Sequence, residues 1–472
     1  MDINLGDSME NLVINSDRMI IALIIGLILL ITMIVKTKIH TFLALIISAI
    51  FIGLAGGMPY DVILKSITDG FGGTLGSIGI IIGFGVMMGQ IFEESNAAKR
   101  MASTFLKILG NGKEEVAMSI TGFLVSIPIF CDSGFIILAP IAKALSSSTG
   151  KSIASIGLAL ASGLVITHSV VPPTPGPVGA AGIFEANVGL VILWGIVIAI
   201  PMMIASLTYA KYYGKKVYQL PGEDGAWIRP EKQEYTANNI NKSFEDEDMP
   251  SALKSFMPII VPIILILINT IISAMVKTSG VEANDIQQLL IFLGTPIVAV
   301  GIGLLIAIFT LTGNLTRKET LSTFEKGIQS AGIIILVTGG GGALGRVLTN
   351  SGVGTQIAEA IAKTNIPAII LPFIIATIIR FIQGSGTVAM LTAASIAAPI
   401  TSSLGVDPTF ATLSACIGSL FFSYFNDSFF WVVNRTIGIE DAKEQIRGYS
   451  IISTIAWAVG FIALLIINAI FG

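Results

Sequence analysis

The chain has 472 residues, of which 53% are hydrophobic and only 12% are charged, and its mean hydropathy is +0.85. Soluble globular proteins carry about 25% charged residues, so a chain of this composition cannot cover itself with a solvated surface. The net charge of -3 says little about partners, and no basic block in the sequence suggests nucleic-acid binding. The composition therefore predicts an integral membrane protein whose outside faces the lipid bilayer.

Ten apolar segments have the length of a membrane-spanning helix. A mostly acidic stretch precedes the first one, and no cleavage motif follows it, so we expect this segment to be retained and not removed as a signal peptide. The predicted spans are 19–35, 40–57, 75–92, 153–171, 187–210, 256–276, 288–312, 328–346, 408–433 and 449–471. The sequence thus predicts an all-α, multi-pass membrane protein.

Two further apolar segments, 116–146 and 367–399, are interrupted by residues that favour irregular backbone. If both are re-entrant hairpins, 21 of the 27 basic residues share one side of the membrane. Because basic residues concentrate on the cytoplasmic side, the charge pattern favours two hairpins, with both termini outside. Non-helical backbone at membrane depth must line a cavity or lie within protein, so the hairpins predict an internal polar site.

The stretches on either side of a long polar segment have the same layout. Each contains two spans, a glycine-rich span, a broken hairpin, a span interrupted by polar residues and a final span. Five crossings per half invert the second half relative to the first, as in secondary transporters with inverted repeats. We expect a first repeat at 1–213, a solvated cytoplasmic linker at 214–254 and a second repeat at 255–472.

Four polar clusters fall at corresponding places in the two predicted repeats, namely the hairpin tips and the interrupted spans. Broken helices present free N–H groups that can hold a carboxylate, and hydroxyl groups can hydrogen-bond a hydroxylated substrate. The candidate substrate-binding residues are Asp132, Ser133, Gly134, Thr167, His168, Ser169, Thr174, Gly384, Ser385, Gly386, Thr387, Asn426 and Asp427. Ionisable groups inside a membrane often form a relay, so His168, Asp132 and Asp427 are the candidates for carrying a coupled proton.

Structural roles stay open for some of these residues. His168 could cap or pack a helix, and Asp427 could form a structural ion pair with Arg346 or Arg380. The sequence has no metal-ligand spacing, no disulfide framework and no hydrolase or nucleotide-binding motif, so it predicts neither a cofactor nor an enzyme. Sodium coupling and a passive anion channel are the alternatives to a proton-coupled carrier.

The stretch Thr167-His168-Ser169-Val-Val-Pro-Pro-Thr-Pro-Gly-Pro177 resembles the most specific motif of the gluconate permease family, a family of proton symporters within the ion transporter superfamily. Residues 339–348, 386–392 and 426–431 are similar to further stretches of that family, and the resemblance covers nearly the whole chain. It implies a scaffold part and a mobile transport part, a homodimer in the bacterial inner membrane, and alternating access coupled to protons.

The resemblance also implies a substrate class. Family substrates are small hydroxylated carboxylates, including gluconate, related sugar acids, glycerate-like acids and D-serine. Gluconate-type members carry Glu where this chain has Asp132, and His where it has Thr174. The shorter acid and the missing imidazole leave room for a smaller hydroxy acid.

Overall fold

The computed structural model describes residues 16–37, 39–109, 112–222, 227–230, 249–279, 282–313, 315–353, 367–424 and 426–472. The helices of the first half are α1 (Ser16–Val35), α2 (Thr41–Gly56), α3 (Tyr60–Glu94), α4 (Ala97–Leu109), α5 (Glu114–Val125), α6 (Cys131–Thr149), α7 (Ile153–Val170), α8 (Pro175–Ile183) and α9 (Val188–Lys216). A two-stranded antiparallel ladder, β1 (Leu220–Pro221) with β2 (Trp227–Ile228), follows them.

The second half is also helical in its described part. Its helices are α10 (Ala252–Ser279), α11 (Asp285–Leu293), α12 (Pro296–Leu311), α13 (Arg317–Asn350), α14 (Ile370–Gln383), α15 (Gly386–Ser403), α16 (Pro408–Gly418), α17 (Ser428–Thr436), α18 (Ala442–Gln445) and α19 (Ile451–Phe471), with a π-helix, Ile446–Ser450, between the last two. The predicted helical membrane fold is confirmed, with the short β-ladder as its one addition in the described residues.

The two halves place similar elements in the same order. The pair α5–α6 precedes α7 and α8, which are separated by a non-helical break, and α14–α15 likewise precedes α16 and α17. The longest helices, α3 with 35 residues and α13 with 34, come before these pairs. The layout predicted from the sequence is therefore present, while the inversion of the second half stays a prediction.

The α5–α6 segment enters and leaves at the same end. Lys151, two residues after the end of α6, lies 2.7 Å from Glu114 and 2.6 Å from Glu115 in the first turn of α5, measured from Nζ to the carboxylate oxygens. The same Nζ donates to the carbonyl of Gly112 at 2.8 Å. Because these contacts close its base and the chain turns at residues 126–130, the segment returns to the end where it began.

The first helix of each pair packs closely on the helix that follows the pair. A Cβ added to Gly122 of α5 would lie 2.6 Å from a backbone oxygen of α7, and one added to Gly418 of α16 would lie 3.0 Å from the Cα atom of Phe373 in α14. Only glycine permits these approaches, and small residues allow close helix contacts in membranes. Both pairs are thereby held against the broken helices next to them.

The helices α3 and α13 lie along each other and contain the two predicted glycine-rich spans. A Cβ on Gly342 would lie 2.6 Å from the carbonyl oxygen of Gly70, and a Cβ on Gly70 would lie 2.7 Å from the Cβ of Arg346. No larger residue fits at these two positions without pushing the backbones apart. The glycines therefore bring together the two longest helices of the chain.

Six helical segments in the described residues are long and apolar enough to cross a membrane, and there are seven if α11 and α12, which meet at 65°, form one bent span. In α1 and α2 the described apolar stretches are shorter. The predicted span 408–433 is not one helix, because the chain unwinds between α16 and α17. The number of ten spans accordingly stays a prediction.

The start of the predicted linker packs against the protein. The side-chain amide of Gln219 donates to the carbonyl of Ile437 at 2.8 Å, and Arg229 forms a bidentate pair with Glu444 at 2.9 and 2.6 Å. The linker is therefore docked at Gln219 and Arg229, which differs from the solvated tether that the sequence predicts. Residues 223–226 and 231–248 of the predicted linker lie outside the described residues.

Candidate functional site

A cavity of about 280 Å³ lies where helix ends from both halves meet. Its lining residues are Cys131, Asp132, Val165, His168, Ser169, Arg380, Gln383, Gly384, Ser385, Gly386, Thr387, Ser419, Leu420, Asn426, Asp427, Ser428, Phe429 and Ser453. Most of the predicted substrate-binding residues are among them, namely Asp132, His168, Ser169, Gly384, Ser385, Gly386, Thr387, Asn426 and Asp427. The structure thus brings all four predicted polar clusters to one place.

Three helices begin at this cavity: α6 at Cys131, α15 at Gly386 and α17 at Ser428. The first-turn N–H groups of a helix have no intrahelical partner, and this end carries the positive end of the helix dipole. The halves meet here directly, since the Ser428 hydroxyl donates to Asp132 Oδ1 at 3.2 Å. The cavity therefore has an electropositive backbone rim of the kind that binds carboxylates.

The sequence predicts the break of the first pair at residues 128–134, with a polar cluster at its tip, 131–134. In the structure the irregular turn occupies residues 126–130, and residues 131–134 form the first turn of α6. Successive side chains of a helical turn point in different directions, so the four residues of the tip cannot all face one cavity. Asp132 lines the cavity, but its neighbours Ser133 and Gly134 do not.

Four of the predicted substrate-binding residues, Ser133, Gly134, Thr167 and Thr174, do not line the cavity in this structure. Ser133 hydrogen-bonds Glu93 of α3, and Gly134 is buried against α7. The Thr174 hydroxyl donates to a backbone carbonyl at 2.6 Å. Thr167 is fully buried, with no hydrogen-bond partner for its hydroxyl among the described residues.

The turn between α14 and α15 needs glycine at its first position. Gly384 caps α14 with φ +92°, in the left-handed region that L side chains rarely adopt. A Cβ at this position would also lie 2.7 Å from the backbone carbonyl carbon of Asn426. Ser385 then begins α15, because its hydroxyl accepts a hydrogen bond from the backbone N–H of Val388 at 3.3 Å.

A buried ion pair, Arg380–Asp427, forms one wall of the cavity. Arg380 Nη2 lies 2.6 Å from Asp427 Oδ2, and the side chains are 6% and 9% exposed. Arg380 Nη1 donates to the Gly384 carbonyl, and Ser423 donates to Asp427 Oδ2. Of the two partners that the sequence left open for Asp427, the structure selects Arg380; Arg346 lines a separate cavity of about 840 Å³ beside α3 and α13.

His168 lies in the last turn of α7 and lines the cavity. Its Nδ1 is buried and has no hydrogen-bond partner among the described residues. Its ring lies 5.8 Å from the ring of Phe130, centroid to centroid, on the turn before α6. This position is compatible with a packing role, since the imidazole lies against a neighbouring ring. It is also compatible with a role in substrate binding or proton transfer, since the imidazole lines a polar cavity.

Sequence reasoning missed several polar lining residues. Gln383 Oε1 accepts a hydrogen bond from the N–H of Ser385 at 3.0 Å, and the Ser453 hydroxyl accepts one from the N–H of Ser423 at 3.0 Å. Ser419 lies just beyond the end of α16. Ser453 belongs to the mostly apolar final span, so only the packing of α19 against the cavity reveals it. Arg380 had a sequence signal, being a lone cation in an apolar helix.

Comparison with known proteins identifies the family. The model of the GntP family permeases matches residues 18–470. The chain is 47% identical to an uncharacterized permease of Haemophilus influenzae, over 96% of this chain and 93% of that protein. It is 34% identical to the high-affinity gluconate transporter of Escherichia coli, over 94% of this chain and 98% of that protein.

The fold is similar to that of a solved transporter. MtrF of Neisseria gonorrhoeae, from a class of antimetabolite efflux pumps, matches with a TM-score of 0.61 and 12% identity, over 93% of this chain and 96% of that one. At this identity the likeness shows a shared membrane transporter fold. The family match and the relatives show a transporter and not an enzyme, and they confirm the resemblance carried by residues 167–177. The chain belongs to the GntP family of permeases.

Proposed function

We propose that this permease is a proton-coupled symporter that brings gluconate or a related small hydroxylated carboxylate into the cell across the bacterial inner membrane. The observation that carries the proposal is the cavity in which helix starts from both halves surround a buried arginine–aspartate pair. A relative at 34% identity is named a high-affinity gluconate transporter. Gluconate is a monocarboxylate with a chain of hydroxyl groups, so its recognition needs one anion site and several hydrogen-bonding groups.

The lining residues supply both kinds of contact. The substrate carboxylate lies at the start of α15, near the N–H groups of Gly386 and Thr387, and beside Arg380. Ser385 is half-buried and Asn426 is exposed, and both line the cavity. The Ser385 hydroxyl accepts from the N–H of Val388 and the Asn426 amide donates to the carbonyl of Phe381, so each would bind the substrate hydroxyls through its remaining hydrogen-bonding positions. Hydroxyl and amide groups both donate and accept, so they match a polyol better than an apolar acid. Asp132, His168, Ser169 and Asp427 complete the proposed site.

Alternating access is the proposed transport cycle. Two helix pairs, one from each half, meet at a single cavity, and inverted repeats at 1–213 and 255–472 would let that cavity open to either side in turn. We place both termini outside, the linker in the cytoplasm and the protein in a homodimer, as the charge pattern and the family resemblance imply. His168, Asp132 and Asp427 are the proposed proton carriers.

Uptake into proteoliposomes tests this function. Labelled gluconate, glycerate and D-serine are supplied with and without an imposed inward proton gradient. We expect one of these acids to accumulate above its external concentration only when the gradient is present. Equilibration regardless of the gradient would instead indicate a channel or uniporter, and accumulation that requires a sodium gradient at constant pH would replace proton coupling with sodium coupling.

Replacing His168 tests its part in the proton relay. We expect His168→Ala to lose most proton-driven accumulation, because the imidazole is the one side chain of the cavity that ordinarily titrates near neutral pH. The matched control is His40→Ala, which removes the only other histidine, an N-cap of α2 away from the cavity. Full proton coupling in His168→Ala would remove this residue from the relay and leave it a packing role.

A further inference from the structure

Among the described residues, Arg380 is the only lysine or arginine that lines the cavity, and Asp132 and Asp427 are the only carboxylates that line it. Counted with a neutral His168, the lining carries one positive and two negative charges. A carboxylate substrate would add a third negative charge to a site where Arg380 is already paired. Because buried charges are costly unless they are paired, entry of the substrate as an anion alone is unfavourable.

One added proton offsets the charge of the substrate at either aspartate, but only a proton on Asp427 also makes Arg380 available. A proton on Asp132 would reduce the charge of the site but leave Arg380 bound to Asp427. A proton on Asp427 breaks the ion pair and leaves a buried arginine without a counter-ion, which is a strongly unfavourable state. The substrate carboxylate can supply the missing counter-ion. One proton and one carboxylate together leave the net charge of the site unchanged.

The geometry of Arg380 fits this exchange. A guanidinium binds a carboxylate best through two parallel N–H groups, and Nε with Nη2 forms one such edge. Asp427 uses only half of this edge, since Oδ2 contacts Nη2 and Oδ1 accepts instead from the backbone N–H of Phe429 at 3.2 Å. Arg380 Nε is buried and has no hydrogen-bond partner among the described residues. The Nε–Nη2 edge could therefore bind a carboxylate through two N–H groups, but Asp427 contacts only one of them.

The other titratable groups around Asp427 do not replace Arg380. Asp132 from α6 adds negative charge, while Cys131 beside it and Tyr449 from the π-helix are uncharged in their protonated forms. His168 from α7 interacts with Asp427 electrostatically and forms no ion pair with it within 4 Å among the described residues. Within the part of the chain that the structure describes, Arg380 is the only direct counter-ion of Asp427.

We propose that the Arg380–Asp427 ion pair is the coupling element of this transporter: a proton on Asp427 releases the Nε–Nη2 edge of Arg380, which then binds the substrate carboxylate. The inference rests on the proposed symport of a carboxylate. The proton enters from the outer water onto Asp427 and leaves to the cytoplasm when the substrate departs and the ion pair forms again. By reciprocity, substrate raises the proton affinity of the pair as much as the proton raises substrate affinity. One proton moves with each monocarboxylate, so transport is electroneutral.

The test measures substrate binding and transport in the purified full-length protein. In the wild type, the Kd for gluconate should rise about tenfold per pH unit above neutrality, because one proton is taken up on binding. Asp427→Asn resembles the protonated acid, so its Kd should stay flat from pH 6 to 8, with exchange of labelled gluconate retained and proton-driven accumulation lost. Arg380→Gln should weaken binding at least about a hundredfold at every pH.

The matched control is Asp407→Asn. Asp407 caps α16 as Asp427 caps α17, but it lies outside the cavity, so its variant should keep the pH slope and the accumulation of the wild type. If Asp427→Asn does not fold, calorimetry of the wild type in two buffers of different ionisation enthalpy counts the protons taken up on binding. A pH slope that persists in Asp427→Asn, tight binding by Arg380→Gln, or a wild-type proton uptake near zero would overturn the inference. Proton-driven accumulation that is absent from the wild type itself would instead refute the proposed function.

Discussion

Replacing Gly384 with alanine is the sharpest test of the site geometry. Gly384 turns the chain between α14 and α15 at φ +92°, and its carbonyl accepts a hydrogen bond from Arg380. A new Cβ would meet the backbone carbonyl group of Asn426 first, with the carbonyl carbon at 2.7 Å, and this backbone cannot move aside as the end of a flexible side chain can. The substitution therefore pushes on the residue next to Asp427 and on the ion pair beside it.

The expected loss of unfolding free energy in Gly384→Ala has two parts. An L residue in the left-handed region costs about 1–2 kcal/mol, and overpacking against backbone adds about 1–3 kcal/mol. Gly405→Ala separates the two, because Gly405 has φ +70° with nothing within 4 Å of a new Cβ. Both variants should lose the unfolding free energy that the left-handed backbone costs, and only Gly384→Ala should also lose the part that overpacking costs. We also expect Gly384→Ala to weaken gluconate binding at least about tenfold, equivalent to about 1.4 kcal/mol.

Thermal unfolding in detergent and gluconate binding on the same preparations supply the two measurements. If Gly384→Ala matched Gly405→Ala in both stability and binding, the close approach of the α14–α15 turn to residue 426 would have no energetic consequence. The assignment of this turn to the substrate site would then be wrong. A loss of stability alone, with unchanged binding, would leave the turn a structural role only.

Two further predictions concern the base of the α5–α6 pair and the contact between α3 and α13. Lys151→Met should lower the unfolding free energy by about 3 kcal/mol, because it leaves the buried Glu114 and Glu115 without a counter-ion, and Gln at both positions should recover part of that loss in chemical denaturation. Burial lowers the pKa of the Lys151 amine, but its hydrogen bonds to the two carboxylates raise that pKa overall. The contribution of the Lys151 charge to the unfolding free energy is therefore complete at neutral pH and is lost as the pH rises through the raised, alkaline pKa. Gly342→Ala should push α3 from α13 and reduce the melting temperature, whereas Gly332→Ala on the same helix, with open space around a new Cβ, should be neutral or slightly stabilising; equal effects of the two would contradict the close packing.

The sequence by itself determined the class of the protein and the parts of its site. A chain with so little charge has to lie in lipid, and lipid leaves unwound backbone only where a cavity or protein surrounds it. That rule applies to each segment of the sequence by itself. The breaks near Asp132, His168, Gly384 and Asp427 could therefore be identified from the sequence and assigned to one internal site. Their meeting in a single cavity follows from the same physics.

Only the tertiary structure decided which side chains line that cavity and what they contact. A helical turn sends neighbouring side chains in different directions, so Asp132 lines the cavity while Ser133 turns toward Glu93. Ser453 reaches the site through the packing of the last helix, which no local pattern records. The choice of Arg380 over Arg346 as the partner of Asp427 depends on distances between segments far apart in the chain. Contacts of this kind follow from how helices pack, whereas hydropathy and helix breaks report only what each segment does alone.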